Sequence, residues 1–374
     1  MAKQKSSYAC SSCNYSCVKW LGCCPECNQW DTFQKVTSAP QVGKLGAHKA
    51  APTTNMQHLH AVTIKSQERM KTDMLEWDRV MGGGIMPSSL LILTGDPGIG
   101  KSTLLLQICN KLAQAHTVFY FSTEESLAQV RLRAERIDCT NEQLLFSDQA
   151  DLSTILQTAM HNKPDILVVD SIQNCYTASS QALPGSVGQL REATFHFMRL
   201  AKEHNITIIL TGHITKEGNI AGPKTLEHMV DGVFYLQGED RWQTRMLRAV
   251  KNRFGTLNEL GFFEMGEKGL HEMPNINEHL LNDMSPSPGS VLISIVEGSR
   301  PLLLELQALT IQSKLAIPQR VISGVDHKQV VLIAAILEKY LQVKLSAHDI
   351  FFKLSGGLKI KSSSSDLGIA LALL

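Results

Sequence analysis

The chain has 374 residues, 43% hydrophobic and 19% charged, with a formal net charge of +1. That length accommodates two or three domains with their own cores, and the near-zero charge excludes nucleic-acid binding through the whole surface, leaving only a local basic patch. No apolar run approaches the roughly 18 residues needed to span a bilayer, and residues 1–8 lack the apolar stretch of a secretory signal, so a cytoplasmic protein with no membrane partner is expected.

Six of the nine cysteines fall between positions 10 and 27. Cys10-x-x-Cys13 and Cys24-x-x-Cys27 are two knuckles ten residues apart, a spacing that suits four thiolates around tetrahedral Zn2+. The segment 1–34 lacks the apolar content to fold without a metal. Cys17 and Cys23 are surplus; Cys23 adjoins Cys24, which leaves a register swap open, and an iron–sulfur cluster is the lesser alternative. Cys109, Cys139 and Cys175 stand singly in apolar contexts and read as core residues. Residues 35–66, rich in Ala, Pro, Gln, Lys, His and Thr without periodicity, read as a flexible linker.

From 67 to 275, short apolar runs alternate with helical patterns. The runs are Leu90–Leu93, Val118–Phe121, Ile166–Val169, Ile206–Leu210 and Gly232–Leu236, which predicts an α/β domain with a mostly parallel, covered sheet. Within it, Gly95-Asp96-Pro97-Gly98-Ile99-Gly100-Lys101-Ser102-Thr103 fits the phosphate-loop pattern G-x-x-x-x-G-K-[ST], behind a predicted strand and ahead of a predicted helix. Glycines let the backbone wrap phosphate oxygens, and the helix N-terminus offers free N–H groups at the positive end of its dipole. Lys101 then reaches the β- and γ-phosphates of ATP, and the Ser102 hydroxyl ligates Mg2+.

Asp170 ends an apolar strand, where a carboxylate holds Mg2+ through its water shell. Glu124 and Glu125 follow the strand ending at Phe121, where one of them can orient or deprotonate the attacking water and the other adds helix N-terminal charge. His213 follows the strand ending at Leu210 and is read either as a γ-phosphate sensor or as structural. A turn cluster at 282–289 separates a last α/β segment, 285–374. Its final residues, Asp366–Leu374, read as an apolar helix without a cap, and the expectation is that this domain is incomplete.

Several motifs together carry a resemblance. Residues 75–85 (Leu-Glu-Trp-Asp-Arg-Val-Met-Gly-Gly-Gly-Ile), the phosphate loop, residues 121–126 (Phe-Ser-Thr-Glu-Glu-Ser), 212–218 (Gly-His-Ile-Thr-Lys-Glu-Gly) and 251–255 (Lys-Asn-Arg-Phe-Gly) closely resemble the RadA (Sms) family of bacterial DNA-repair proteins. The resemblance spans essentially the whole chain. It implies a RecA-like P-loop ATPase core, an N-terminal zinc ribbon and a C-terminal domain similar to that of Lon proteases. The function it implies is an ATP-dependent DNA motor, a hexameric ring that binds single-stranded and branched DNA and promotes branch migration alongside the recombinase RecA. The alternative is a RecA-like ATPase acting on protein partners without translocation.

Matched to the family, Glu124 rather than Glu125 is the catalytic glutamate. Lys251 and Arg253 resemble the basic pair that DnaB-type helicases insert into a neighbouring subunit's ATP site. Two cations two apart on a strand share one face, as a clamp on γ-phosphate requires; the plainer reading is DNA phosphate or solvent. Central DNA-binding loops are expected at 177–189 and 215–225, with Arg191, Lys216 and Lys224 meeting phosphates. Arg300, Lys314 and Arg320 are weaker candidates for DNA contacts. Ser364 falls near the Lon-type nucleophile, but the Gly-Pro-Ser-Ala-Gly pattern and the partner lysine are missing from this sequence. A scaffold role is expected there instead.

Overall fold

The computed structural model describes residues 7–11, 13, 16–17, 19–20, 22–27, 29–36, 58, 68–177, 183–213, 226–238, 243–282, 287–354, 360 and 363–374. The chain divides into two units, Met1–Lys65 and Ser66–Leu374. Apart from His58 and the backbone of Lys35 and Val36, the 35–66 segment expected to be a linker lies outside the described residues.

In the first unit, β1 (Ser7–Cys10) pairs antiparallel with both β2 (Ser16–Cys17) and β3 (Phe33–Val36). Among its described residues the core is minute: Cys10, Cys24 and Phe33 are buried, with Cys17 and Cys27 packed against them. Three buried side chains do not offset the entropy of ordering some thirty residues, so the fold needs another source of stability.

The second unit is built on a nine-stranded sheet. Its parallel part comprises β4 (Leu90–Gly95), β5 (Val118–Ser122), β6 (Leu144–Ser147), β7 (Ile166–Asp170), β8 (Thr207–His213) and β9 (Gly232–Gly238). An antiparallel extension adds β10 (Thr244–Asn252), β11 (Leu260–Gly266) and β12 (Gly269–Glu272). The strand order is β12-β11-β10-β9-β4-β8-β7-β5-β6. The five apolar runs of the sequence all form parallel strands, and they are apolar on both faces, Thr207 excepted, because helices cover both sides of the sheet.

Alternation divides them. Leu91, Leu93, Tyr120 and Val168 join one core with helix α2 (Lys101–Leu112), while Leu90, Ile92, Phe121, Leu167 and Val169 join the other with α4 (Leu152–Asn162) and α5 (Val187–His204). Helices α1 (Leu75–Met81) and α3 (Leu127–Arg136) contribute to the first of these cores.

Beyond α6 (Ile276–Asn282) lies a second sheet of β13 (Ser290–Glu297), β14 (Arg300–Gln312), β15 (Arg320–Ser323) and β16 (His348–Leu354), ordered β13-β14-β16-β15. Helices α7 (His327–Leu341) and α8 (Asp366–Leu373) pack on it. The core beneath them also takes in Leu260, Phe262, Met273 and Ile276 from the first sheet's margin.

An ion pair crosses the same boundary. Arg300 Nη1 and Nη2 donate to Glu76 Oε2 and Oε1 at 2.9 and 2.6 Å. Glu76 is fully buried and also accepts from the Phe262 backbone N–H at 3.0 Å. Arg300 is thus spent on packing rather than presented to a nucleic acid. Arg320 likewise donates to the carbonyls of Leu345 and His348.

Candidate nucleotide and metal sites

Strand β4 ends at Gly95 in the middle of the sheet, and α2 begins six residues later at Lys101. The turn between them depends on glycine. Gly98 and Gly100 have φ of +77° and +109°, the left-handed region that glycine alone enters at no cost. A Cβ on Gly95 would meet the Leu236 carbonyl oxygen at 2.2 Å. The N-cap of α2 is Gly100, with no side-chain capping bond, so the first-turn N–H groups remain available to an anion. The loop fits a phosphate for these reasons.

Asp96, Pro97 and Gly98 are exposed at its tip, Ile99 and Thr103 are buried, and Ser102 stands half-buried in the first helical turn. Lys101 folds back over the loop, its Nζ donating to the carbonyls of Gly95 at 3.0 Å and Asp96 at 2.9 Å. Burial pushes its pKa down, against the pull of the Asp170, Glu124 and Asp96 carboxylates. The same three acids therefore share one neighbourhood with the lysine.

Asp170 ends β7, buried, and both of its oxygens are held. Tyr120 Oη donates to Oδ2 and Thr211 Oγ1 donates to Oδ1, each at 2.6 Å. The loops after β5 and β7 are tied together: the Ser171 N–H donates to Thr123 Oγ1 at 2.8 Å, and that hydroxyl donates to the Ser171 carbonyl at 2.7 Å. Ser171 Oγ donates to Glu124 Oε1. Glu125 points elsewhere, into an ion pair with Arg133. The two adjacent acids are thereby separated into one facing Ser171 and the Lys101 ammonium and one bound to helix α3. The backbone of His213, at the end of β8, pairs with Gly95 across the sheet.

Lys251 and Arg253 are not brought to this site. Their neighbour Asn252 pairs with Gly232, at the start of β9 and the far end of the sheet from Gly95. Arg253 Nη1 donates to Asp231 Oδ1 at 2.9 Å, and Asp231 Oδ2 accepts from the N–H of Leu90, the first residue of β4. Lys251 Nζ donates to the Glu227 carbonyl at 2.6 Å. The expectation that both cations share a strand face also needs correction. β10 ends at Asn252, so Arg253 belongs to the turn beyond, where the alternation of a strand no longer applies.

Arg191 is exposed near the start of α5. Lys216, Lys224, the whole of 214–225 and residues 178–182 of the other expected DNA loop lie outside the described residues. Ser364 is exposed in the short turn Ser363–Ser365.

In the first unit, one sulfur from each of Cys10, Cys13, Cys24 and Cys27 lies within 4.8 Å of the others. The Cys10–Cys27 and Cys13–Cys24 separations are 3.7 and 3.5 Å. Zinc–thiolate bonds of about 2.3 Å set tetrahedral sulfurs about 3.8 Å apart, so the four thiols fit that metal. Cys24, not Cys23, belongs to the group. Cys17 Sγ donates to the Lys19 carbonyl at 2.8 Å and Cys23 Sγ to that of Cys24.

Sequence reasoning missed Tyr120, Thr123, Ser171 and Thr211, which sit in or beside apolar strands where only a solitary hydroxyl marks them. It also missed Arg245, whose Nε donates to the Ile99 carbonyl at 3.2 Å and braces the phosphate loop from β10.

The profile of a family described as AAA domain matches residues 67–219. The chain is 42% identical over 378 residues to the DNA repair protein RadA of Bacillus subtilis (strain 168), covering all of this chain and 82% of that protein. It is 40% identical over 374 residues to the DNA repair protein RadA of Listeria monocytogenes, again covering all of this chain and 82% of that one. Among solved structures, that of the RadB recombinase aligns with 55% of this chain and 99% of its own at 21% identity and a TM-score of 0.43.

Proposed function

The chain belongs to the RadA family of DNA repair proteins, and from that premise we propose that it is an ATP-driven motor on DNA that extends recombination intermediates by branch migration. The coarser part of that reading, an ATPase with a RecA-like P-loop core acting in DNA repair, follows from membership and from the phosphate loop. The finer part rests mainly on one observation. The phosphate loop and the Lys251/Arg253 pair occupy opposite ends of one sheet, as they must if each subunit supplies cations to its neighbour's nucleotide.

In this reading the N–H groups of residues 98–103 and the Lys101 ammonium hold the β- and γ-phosphates. Ser102 and Asp170 hold Mg2+, which when bound offsets charge on the transferring phosphoryl group. Glu124, oriented by the Ser171 hydroxyl, positions the attacking water and takes its proton. His213, beside Gly95, reports the state of the γ-phosphate to the segment that follows it. Lys251 and Arg253 of an adjacent subunit neutralise the transition state, in a hexameric ring.

Single-stranded DNA runs along Arg191 and the segments carrying Lys216 and Lys224, and RecA and branched DNA are the partners. The four-cysteine site takes Zn2+, which supplies the folding energy that the three-residue core does not. The C-terminal sheet is a Lon-like scaffold, and the protein works in the cytoplasm. Among the described residues no helix is long and apolar enough to cross a membrane.

The experiment is ATP hydrolysis with and without single-stranded DNA, with Lys101→Ala as the blank. Stimulation of several-fold that vanishes in the variant supports a DNA motor. A Lys101-dependent rate that DNA leaves unmoved overturns it in favour of an ATPase acting on protein partners.

A further inference from the structure

Strand β7, which carries Asp170, lies between β8 and β5 in the sheet, and each neighbour sends one hydroxyl to the carboxylate. Thr211 is one residue past the Val169–Leu210 pair, directly across from Asp170. On the other side Asp170 pairs with Ser122, and Tyr120 is two residues back on the same face, a diagonal that only a long side chain spans.

Both contacts are 2.6 Å, within the range of hydrogen bonds to an ionised acceptor. Tyr120 is buried among apolar neighbours, its ring 5.5 Å from that of Phe146. Its sequence neighbours are Phe119 and Phe121; packing alone would accept a third phenylalanine here, and the hydroxyl is what tyrosine adds. A carboxylate offers about four lone-pair sites. One hydroxyl on each oxygen fixes the plane of the group and leaves the remaining sites for a metal's water shell.

We propose that Tyr120 and Thr211 are positioning residues that clamp the Asp170 carboxylate in the orientation needed to hold the magnesium of bound nucleotide. This rests on the reading of Asp170 as the magnesium carboxylate. Neither residue touches the nucleotide; both act through Asp170, as groups behind metal ligands do. Their loss therefore weakens the metal-dependent part of nucleotide binding and leaves the metal-free part alone.

The test measures affinity of the full chain for a fluorescent ATP analogue without metal and across a Mg2+ titration, alongside thermal melting. Tyr120→Phe and Thr211→Val are each expected to raise the Mg2+ concentration for half-maximal binding about tenfold, with metal-free affinity unchanged. Thr211→Ser, which keeps the hydroxyl, is expected to stay within about twofold of the parent. Unchanged Mg2+ dependence in both variants, with or without a lowered melting temperature, overturns the proposal and makes the hydroxyls mere core satisfaction. Asp170→Asn separates the two readings: parental Mg2+ dependence in that variant sinks the assignment of Asp170 itself. A raised requirement in Asp170→Asn with none in the hydroxyl variants sinks only the clamp.

Discussion

Lys251 lies at the opposite end of the central sheet from Lys101: its partner Val233 pairs with Ile92 near the start of β4, whereas Lys101 follows the glycine that ends that strand. Gly95 is three residue steps beyond Ile92, about 10 Å of strand, and β10 stands two strands from β4. Each ammonium is held at its own end of the sheet, Lys101 by the carbonyls of Gly95 and Asp96 and Lys251 by that of Glu227. If both serve hydrolysis, they serve it in different chains, and the assembly is head-to-tail.

That geometry predicts complementation. Lys101→Ala and Lys251→Ala are each expected to abolish hydrolysis alone. Mixed and reassembled, they should recover activity at about a quarter of interfaces by random assortment. Steady-state ATP turnover against mixing ratio checks this; a mixture as inactive as its components rules out sharing between subunits.

Lys101 carries a stability cost. Its pKa is lowered by burial, so between that lowered value and the ordinary lysine value the unfolded chain binds more protons than the folded one. Stability therefore rises with pH through that window, as the buried ammonium is relieved of its charge. Lys101→Met is expected to stabilise the nucleotide-free protein at neutral pH by roughly 1 kcal/mol, seen as a higher melting temperature. The gain should shrink toward pH 10, and the shift produced by ATP should be lost. Thermal melts at several pH values, with and without nucleotide, measure all three.

The Glu76–Arg300 pair is buried on the acid side, and removing the cation leaves a buried carboxylate with only the longer Arg79 contact at 3.9 Å. Arg300→Ala should cost about 3–5 kcal/mol in urea unfolding, and Arg300→Met combined with Glu76→Gln markedly less. A loss below 1 kcal/mol for Arg300→Ala would show the pair to be incidental.

For the first unit, Cys10→Ser or Cys24→Ser should remove bound zinc and unfold residues 1–34 while leaving Lys101-dependent hydrolysis measurable. Cys23→Ser should retain one zinc per chain. Metal analysis by mass spectrometry, with proteolysis of the N-terminus as the fold readout, distinguishes the two sets.

How far the molecule was legible in its sequence depended on whether a signal was local. The phosphate loop, the acid ending β7 and the four cysteines declare themselves within a few residues, because glycine conformation, strand termination and knuckle spacing are short-range constraints. The apolar runs gave the parallel strands for the same reason. Strands β6 and β10 to β12 were not read, since half-exposed strands mix polar and apolar residues and show no sustained run.

The hydroxyls of Tyr120 and Thr211 escaped because their meaning depends on three strands lying side by side. Arg300 was misjudged by the same gap: its partner Glu76 is 224 positions away, and nothing in the local sequence distinguishes a buried arginine from a solvated one.

The ion pair between Glu76 and Arg300 also decides what can be moved as a part. With Leu260, Phe262, Met273 and Ile276 it makes the margin of the catalytic sheet and the C-terminal sheet one continuous interior. A fragment cut at residue 275 would carry an acid facing a vanished cation and three bare apolar side chains, Leu260, Phe262 and Met273, and would report poorly on the intact enzyme. A graft of either sheet into another scaffold must bring the matching residues of both. Displacing Arg300 at the head of β14 takes from helix α1 the guanidinium that holds Glu76, so the C-terminal sheet bears on the same domain that carries the phosphate loop.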